Sequence, residues 1–390
     1  MINIIKSFIS ISAVAFLLYI FTFYIDGEMG VILLSFMVSA PVFSLLFVLY
    51  SRNRINVTFD CDGYVKKGSK LKITVTVEKK DSLPFALVDI KPSVSEVFGK
   101  DLKIYRLSML NERRKDFTFT VDALTGGNGE ISIETVYSCG FLGFIRLKAK
   151  TPLPQPKSVG VIPEIPDIKA SSQLFRSIAD VVMTSDDEED NDTAMMFSTN
   201  TTVGYEHREY VMGDPLKRVN WKLSTKKGKL MVRLDEASAS VQPSILLDLY
   251  RNSSEKAENA VIGEEKLLVS VFGLLTLMVK QGIACSFTYY SPTGEIITES
   301  VDNPDYPVQL LLKVLSVKIV PDRRIDILPD SSTACACVVS TTDTGGNFTA
   351  ITDKIENHEN TSILSISPQM PAPSDIPLWY LDENNNFIMV

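Results

Sequence analysis

The sequence predicts a multidomain protein in which a two-span transmembrane helical hairpin precedes an all-β sandwich of immunoglobulin-like size and an α/β domain with a mostly parallel sheet. Three patterns predict this order. Two uncharged apolar stretches, 7–25 and 29–51, begin the chain; runs that alternate apolar and polar residues fill 55–150; and apolar strands alternate with helices from 241 onward. With 390 residues and 45% hydrophobic content, the chain has material for two or three cores.

Residues 1–54 are predicted to form the transmembrane hairpin. Each apolar stretch reaches the roughly 20 residues that cross a bilayer core, and only the acidic turn Asp26–Glu28 separates them. Because unpaired backbone is excluded from lipid, so short a turn must reverse the chain. Lys6, Arg52 and Arg54 flank the pair. The positive-inside rule therefore predicts a two-pass cell-membrane protein with the turn outside and the bulk of the chain in the cytoplasm.

Residues 55–150 are predicted to form the β-sandwich. Glycine- and proline-containing turns divide the segment into about seven strands over about 100 residues, which is the size of an immunoglobulin-like domain. Residues 151–200 follow as a proline-rich connector with a short helix at 174–182 and an acidic loop at 186–192. The acidic loop is either a solvated segment or an electrostatic partner for the basic residues that come next.

A basic segment, 201–240, stands out in an otherwise acidic chain. Between Tyr205 and Arg233, eight Lys or Arg residues accompany three carboxylates, although the formal net charge of the whole chain is −8. Such a concentration of positive charge indicates either a solvated polar surface or a face that binds a partner.

The arrangement of side chains within this segment can be predicted in part. We expect Trp221 to pack against a sheet, with Lys222 facing outward. The turn residues Gly213 and Asp214 would hold the loop in one shape. Two ion pairs are expected to fix it further, Arg208 with Asp214 and Glu209 with Lys217 or Arg218.

Residues 241–390 are predicted to form the α/β domain. Open parallel sheets bind ligands beyond the carboxyl ends of their strands, and Asp248 and Asp343 both follow apolar strands. This arrangement resembles a von Willebrand factor A domain, whose metal site begins with Asp-x-Ser-x-Ser and is completed by Thr and Asp from later loops. Here Tyr250 and Asn252 replace the two serines. We therefore expect a degenerate metal site, with a divalent cation such as Mg²⁺ as the one candidate cofactor.

The basic segment also resembles the family known as domain of unknown function 58. The residues that carry the resemblance, without gaps, are Arg208-Glu209-Tyr210, Gly213-Asp214, Lys217-Arg218, Val219 and Trp221-Lys222. The resemblance implies a membrane-anchored, von Willebrand A-like protein. It also implies work beside a MoxR-type AAA+ ATPase, or another von Willebrand A-type protein, in envelope protein assembly or maturation. These signature residues are the candidate partner-binding site.

The function that we prefer on these grounds is a non-enzymatic, membrane-anchored adaptor or scaffold. The sequence contains no Walker-type phosphate loop and no Gly-x-Ser-x-Gly nucleophile turn, and it identifies no catalytic residue and no small-molecule substrate. Two alternatives stay open: an envelope hydrolase that uses Asp248 and Asp343 as a carboxylate pair, and a purely structural membrane anchor. Nucleic acid is not an expected partner, because the chain is acidic and lacks aromatic residues interleaved for base stacking.

Overall fold

The chain divides into two compact units, Met1–Glu164 and Ile165–Val390, and each contains its own buried apolar side chains. The structure is a computed structural model. It describes residues 2–24, 27–80, 87–100, 102–109, 112–140, 143, 145–187, 201–210, 219–237, 242–325, 334–343, 360–369 and 375–390.

Two helices begin the first unit, α1 (Ile2–Tyr24) and α2 (Gly27–Ser51). Within the described part of the chain, α2 is the one helix that is long and apolar enough to cross a membrane. The two helices approach closely at Gly30, where an added Cβ would lie 2.5 Å from the Cα of Thr22. Large apolar side chains of α2 such as Phe36 and Phe43 are exposed. A hydrocarbon environment would solvate this surface, whereas water would not.

The strands of the first unit form two sheets. One has the order β1-β3-β6, and the other has the order β2-β9-β7-β4-β5 with β8 also paired to β7. The strands are β1 (Ile55–Cys61), β2 (Tyr64–Lys66), β3 (Lys70–Lys79), β4 (Leu87–Val94), β5 (Tyr105–Leu107), β6 (Arg114–Asp122), β7 (Gly127–Cys139), β8 (Arg146–Lys148) and β9 (Lys157–Ile162). Alternation of apolar residues buries one face of β3 through Ile73, Val75 and Val77, as period-two patterning requires.

The carboxyl end of α2 is joined to the sheets by hydrogen bonds. The Oγ atoms of Ser51 and Ser138 lie 2.5 Å apart, and the amide of Lys150 donates to the carbonyl of Arg52 at 2.8 Å. Ser138 belongs to β7. The apolar helix and the β-strands are therefore parts of one compact unit.

The second unit combines α3 (Gln173–Asp187), a small two-stranded sheet and a large mixed sheet. The small sheet pairs β10 (Thr201–Glu209) with β11 (Met231–Ala237), and α4 (Trp221–Lys227) lies between them in sequence. The remaining elements are β12 (Gln242–Asp248), α5 (Ala257–Lys280), β13 (Cys285–Tyr290), β14 (Ile296–Val301), α6 (Tyr306–Leu315), β15 (Ala334–Thr341), β16 (Thr361–Ser365), β17 (Leu378–Leu381) and β18 (Phe387–Met389). Of the predicted acidic loop, residues 188–192 lie outside the described residues.

The large sheet has the strand order β14-β13-β12-β15-β16-β17-β18. Pairs from β13 to β17 are parallel, whereas β14 and β18 run antiparallel at the two edges. The sheet is mostly parallel, as the sequence predicts, and its antiparallel edges make it mixed. The direction of winding reverses between β12 and β15, and the crevice beyond such a reversal is the usual ligand site of doubly wound sheets.

Helix α5 packs against this sheet along most of its length. Phe272 on α5 and Phe287 on β13 are fully buried, with ring centroids 5.6 Å apart. At Gly273 the helix approaches Ile168 so closely that an added Cβ would lie 2.5 Å from its Cδ1 atom. The core thus holds β12 and β13 in place and fixes the position of their carboxyl ends.

Candidate functional site

The first candidate site is the hairpin that carries the signature residues. Arg208 lies in β10 opposite Val232, and Glu209 lies opposite Met231. The amide of Tyr210 donates to the carbonyl of Leu230 at 2.8 Å, which extends the pairing by one residue. The backbone of Arg208, Glu209 and Tyr210 is therefore held by β11.

Helix α4 is hydrogen-bonded to Met231 of the same strand from its amino-terminal cap and from its middle. The side-chain oxygen of Asn220 caps the helix by accepting from the backbone amide of Leu223 at 3.1 Å. The backbone amide of Asn220 donates to the carbonyl of Met231 at 2.9 Å. The hydroxyl of Ser224 accepts from the amide of Met231 at 2.8 Å. Gly228 ends the helix with φ 68°, a left-handed conformation that suits glycine.

The expectation that Trp221 packs against a sheet is wrong. Trp221 is the first residue of α4, and it is 61% exposed. The physical reason is the cap: because Asn220 begins a helix where we expected an extended strand, the indole turns away from the sheet. Val219, which bridges to Val232, is the residue buried there. The sequence carried a signal for this helix in the capping residue Asn220 and in Gly228.

The structure gives Glu209 an ion-pair partner that the sequence did not suggest. Its carboxylate lies 2.8 Å from the Nζ of Lys229, and both side chains are more than half exposed, so the pair contributes little to stability. The predicted partners and turn residues of this loop lie outside the described residues, namely Gly213, Asp214, Lys217 and Arg218. The side chain of Arg208 is likewise outside them.

The second candidate site lies at the carboxyl ends of β12 and β15. Asp248 is the last residue of β12, Thr341 is the last residue of β15, and Asp343 follows two residues later. The Thr341 hydroxyl donates to Oδ2 of Asp248 at 3.1 Å and accepts from the amide of Asp343 at 3.1 Å. The structure therefore brings together the two acids that the sequence singled out.

A residue that the sequence analysis missed, Arg324, binds both acids. Its Nη2 donates to Oδ2 of Asp343, and its Nε lies 3.5 Å from Oδ2 of Asp248. The guanidinium carbon lies 4.4 Å from the ring centroid of Tyr250, in cation–π geometry. Only the three-dimensional fold joins these residues, because Arg324 precedes β15 and is distant from Asp248 in sequence.

Burial governs the chemistry of the two acids. Asp248 is fully buried and Asp343 is 6% exposed. Loss of hydration raises the pKa of Asp248 to about 6, although the neighbouring Arg324 opposes that rise. A cavity of about 30 Å³ nearby is lined by residues that include Leu247, Tyr289 and Arg323, and neither acid lines it. Among the described residues, both acids contact Arg324, and the Asp248 carboxylate also accepts from Thr341.

The residues at this edge do not fit a divalent cation. A von Willebrand A-type metal site needs several oxygen ligands in near-octahedral geometry. Here the carboxylates bind a guanidinium, and the hydroxyl of Thr342 donates to the carbonyl of Tyr250. Within the described part of the chain, no group of three or more His, Cys, Asp or Glu residues is arranged to hold a metal ion.

Comparison with known proteins identifies no family for this chain. No family model matches it, and no curated protein does. Solved structures with partial similarity include a cohesin module of a Clostridium perfringens family 33 glycoside hydrolase, with 12% identity over 29% of this chain and 99% of that one and a TM-score of 0.24.

Two further solved structures are similar over part of the chain. The CARDB domain of a Pyrococcus furiosus protein is 14% identical over 28% of this chain and 94% of that one, with a TM-score of 0.23. The PKD domain of an M14-like peptidase from a Thermoplasmatales archaeon is 10% identical over 29% and 95%, with a TM-score of 0.17. Similarity at this level assigns neither a fold nor a function to the chain.

Proposed function

We propose that this protein is a non-enzymatic, membrane-anchored adaptor that docks a partner protein on the exposed face of α4. The partner that the family resemblance implies is a MoxR-type AAA+ ATPase, and the implied process is assembly or maturation of envelope proteins. The chain would cross the cell membrane twice, with its bulk in the cytoplasm. It would belong to the domain of unknown function 58 family.

The observation that carries this proposal is the exposure of Trp221 on a fixed helix. The helix is capped, ended by Gly228 and hydrogen-bonded to β11, so little ordering entropy would be lost when a partner binds the indole. Tryptophan is among the residues that most often dominate the energy of protein interfaces. An exposed tryptophan on a rigid support is better explained by docking than by core packing.

The charge around Trp221 favours an acidic partner surface. One side of α4 is exposed and consists of Trp221, Lys222, Thr225 and Lys226. Positions separated by three or four residues share a helix face, so Trp221 shares one with Thr225 and Lys222 shares the adjacent one with Lys226. The exposed surface of α4 therefore carries two ammonium groups in addition to the indole. A partner with an apolar pocket rimmed by carboxylates would complement this face, and the lysines would speed its association.

The strand order supports a von Willebrand A-like fold for the second unit. The order β14-β13-β12-β15-β16-β17 is that of a doubly wound sheet, and the Asp, Thr and Asp residues lie at the carboxyl ends of β12 and β15. In the first unit, the paired sheets with alternating burial support an immunoglobulin-like sandwich. The helices α1 and α2, joined within a few residues, support a two-span hairpin.

Site-specific photocrosslinking in cells tests the adaptor proposal. A photoreactive amino acid replaces Thr225, which is exposed beside Trp221, or Ile262, which is exposed on α5 and serves as the matched control. We expect an AAA+ ATPase to crosslink from position 225 and not from position 262. Trp221→Ala should reduce this crosslink by at least about tenfold, because interface tryptophans often contribute 2 kcal/mol or more.

Three results would count against the proposal. One is equal crosslinking at the two positions; another is a product at position 225 that contains no ATPase; a third is a crosslink unaffected by Trp221→Ala at equal protein abundance. The second would mean that a different partner lies at α4, and the third would favour a purely structural anchor, in which α4 only covers β11. Ile262→Ala removes a similarly exposed apolar side chain, and it should leave the crosslink unchanged.

A further inference from the structure

The carboxyl ends of β12 and β15 form a cluster with one cation and two acids. Asp248 and Asp343 lie on either side of the reversal in strand order, where doubly wound sheets usually bind a ligand. Arg324 is 12% exposed at its side chain and contacts both acids. Paired burial of this kind is costly unless each charge is compensated. Among the described residues, Arg324 is the cation that contacts both acids.

Both carboxylate oxygens of Asp248 accept hydrogen bonds from within the chain. Oδ1 of Asp248 accepts from the amide of Ile325 at 3.3 Å, and its Oδ2 accepts from the hydroxyl of Thr341 at 3.1 Å. A divalent ion entering here would have to displace the guanidinium or share the cluster with it. Like charges so close together in a buried site are strongly unfavourable.

The backbone on both sides of Arg324 holds the guanidinium in this position. The amide of Asp322 donates to the carbonyl of Arg251 at 2.8 Å, and its carboxylate accepts from the amide of Ser253 at 3.0 Å. The carbonyl of Arg324 itself accepts from the hydroxyl of Tyr290 at 2.7 Å. Three anchors, on the loop after β12 and at the end of β13, thus fix the segment that carries the arginine.

We propose that Arg324 is a built-in cation that takes the place of a divalent metal ion between Asp248 and Asp343. It binds the carboxyl ends of β12 and β15 to each other and makes that edge of the sheet independent of metal. The oxygen atoms of Asp248, Thr341 and Asp343, which could bind a cation, lie around the guanidinium. Removing the guanidinium should therefore turn the cluster into a divalent-cation site.

The test compares Mn²⁺ binding by the full-length protein in detergent, wild type against Arg324→Ala. Electron paramagnetic resonance measures free Mn²⁺, and thermal unfolding is followed with EDTA or with Mn²⁺. We expect the variant to bind one Mn²⁺ at least about tenfold more tightly than wild type does. We also expect it to unfold at lower temperature in EDTA and to recover with Mn²⁺, because a ligand that binds the folded state stabilises it.

Two results would overturn the proposal. Wild type that gains thermal stability from Mn²⁺, with the gain abolished by Asp343→Asn, would mean that the native cluster is a metal site. Arg324→Ala that binds no Mn²⁺ would mean that the acids are not a cation site at all. If the alanine variant fails to fold, the wild-type measurement still decides the first point. Arg324→Lys, which keeps the charge without the planar fork, should then be folded and should not bind Mn²⁺.

Discussion

Arg251 and Glu264 form a bidentate ion pair in which Nε donates to Oε1 and Nη2 donates to Oε2, each at 2.7 Å. Glu264 lies on the buried face of α5 with 2% of its side chain exposed, whereas that of Arg251 is 24% exposed. Burial raises the pKa of the Glu264 carboxyl, and the hydrogen bonds from Arg251 oppose that rise. The pair joins the loop after β12 to the helix that covers the sheet.

Arg251→Met should destabilise the second unit by about 2 to 4 kcal/mol, because it leaves the Glu264 carboxylate buried without its partner. Hydrogen exchange of the α5 amides would measure the loss as a lower free energy of opening. The double variant Arg251→Met/Glu264→Leu should recover most of it. A double variant no more stable than Arg251→Met would show that the methylene packing of Arg251, and not its charge, is what matters.

Glu299 is expected to make stability depend on pH in the acid range. It accepts hydrogen bonds from Lys313 at 2.8 Å, from Tyr289 at 2.9 Å and from Tyr306. Partial burial alone would raise the pKa of Glu299, but the hydrogen bonds from these donors outweigh that effect and hold the pKa below the ordinary value of a glutamate. A carboxyl with a lowered pKa stabilises the folded state above its unfolded pKa, and this contribution is lost as the pH falls through the folded value.

Glu299→Gln should therefore cost about 1 to 2 kcal/mol at neutral pH, because an amide cannot accept as many hydrogen bonds as a carboxylate. The difference from wild type should shrink below about pH 4. Hydrogen exchange of β14 and α6 at both pH values is the measurement. A difference that stays constant with pH would mean that the donors do not favour the ionised form. Glu295→Gln, the same substitution on the same hairpin, is the control.

Labelling of single cysteines tests the membrane topology. In a background in which the five native cysteines are replaced, Glu28→Cys should react with a membrane-impermeant maleimide in intact cells. Thr225→Cys should react only after permeabilisation. The reason is that Lys6, Arg52 and Arg54 lie away from the acidic turn in the proposed two-span topology, and the positive-inside rule then places them in the cytoplasm. Labelling of Thr225→Cys in intact cells would place the bulk of the chain outside and remove a cytoplasmic ATPase as its partner.

Local patterns in the sequence predicted the alternation of strands and helices from residue 241 onward. The turn Ser291–Gly294 joins β13 to β14, with φ 88° at Gly294, which is the conformation that glycine adopts most readily. Apolar strands followed by acids placed Asp248 and Asp343 at the same edge, because parallel strands end on one side of a sheet. These features depend on neighbours in sequence and on periodicity.

The features that the sequence did not predict depend on contacts between distant segments or on competing local signals. Arg324 and Asp248 are distant in sequence and come together only in the folded second unit, so the charge of Arg324 in the sequence looks like that of any surface arginine. Trp221 looked like a strand residue because Val219 and Leu223 alternate with it, but the helix cap at Asn220 prevailed. The antiparallel addition of β18 to β17 at the sheet edge was likewise not foreseen.

Trp221 and Trp379 have opposite surroundings, so the intrinsic fluorescence of the protein reports on two different regions of the second unit. They are the chain's two tryptophans, one largely exposed on α4 and the other 5% exposed in β17. An iodide or acrylamide quencher would reach the first indole and spare the second, so the two emissions can be separated without any added dye. Whatever covers α4 would shift and shield only the solvent-exposed component, while unfolding of the large sheet would be registered by the buried one.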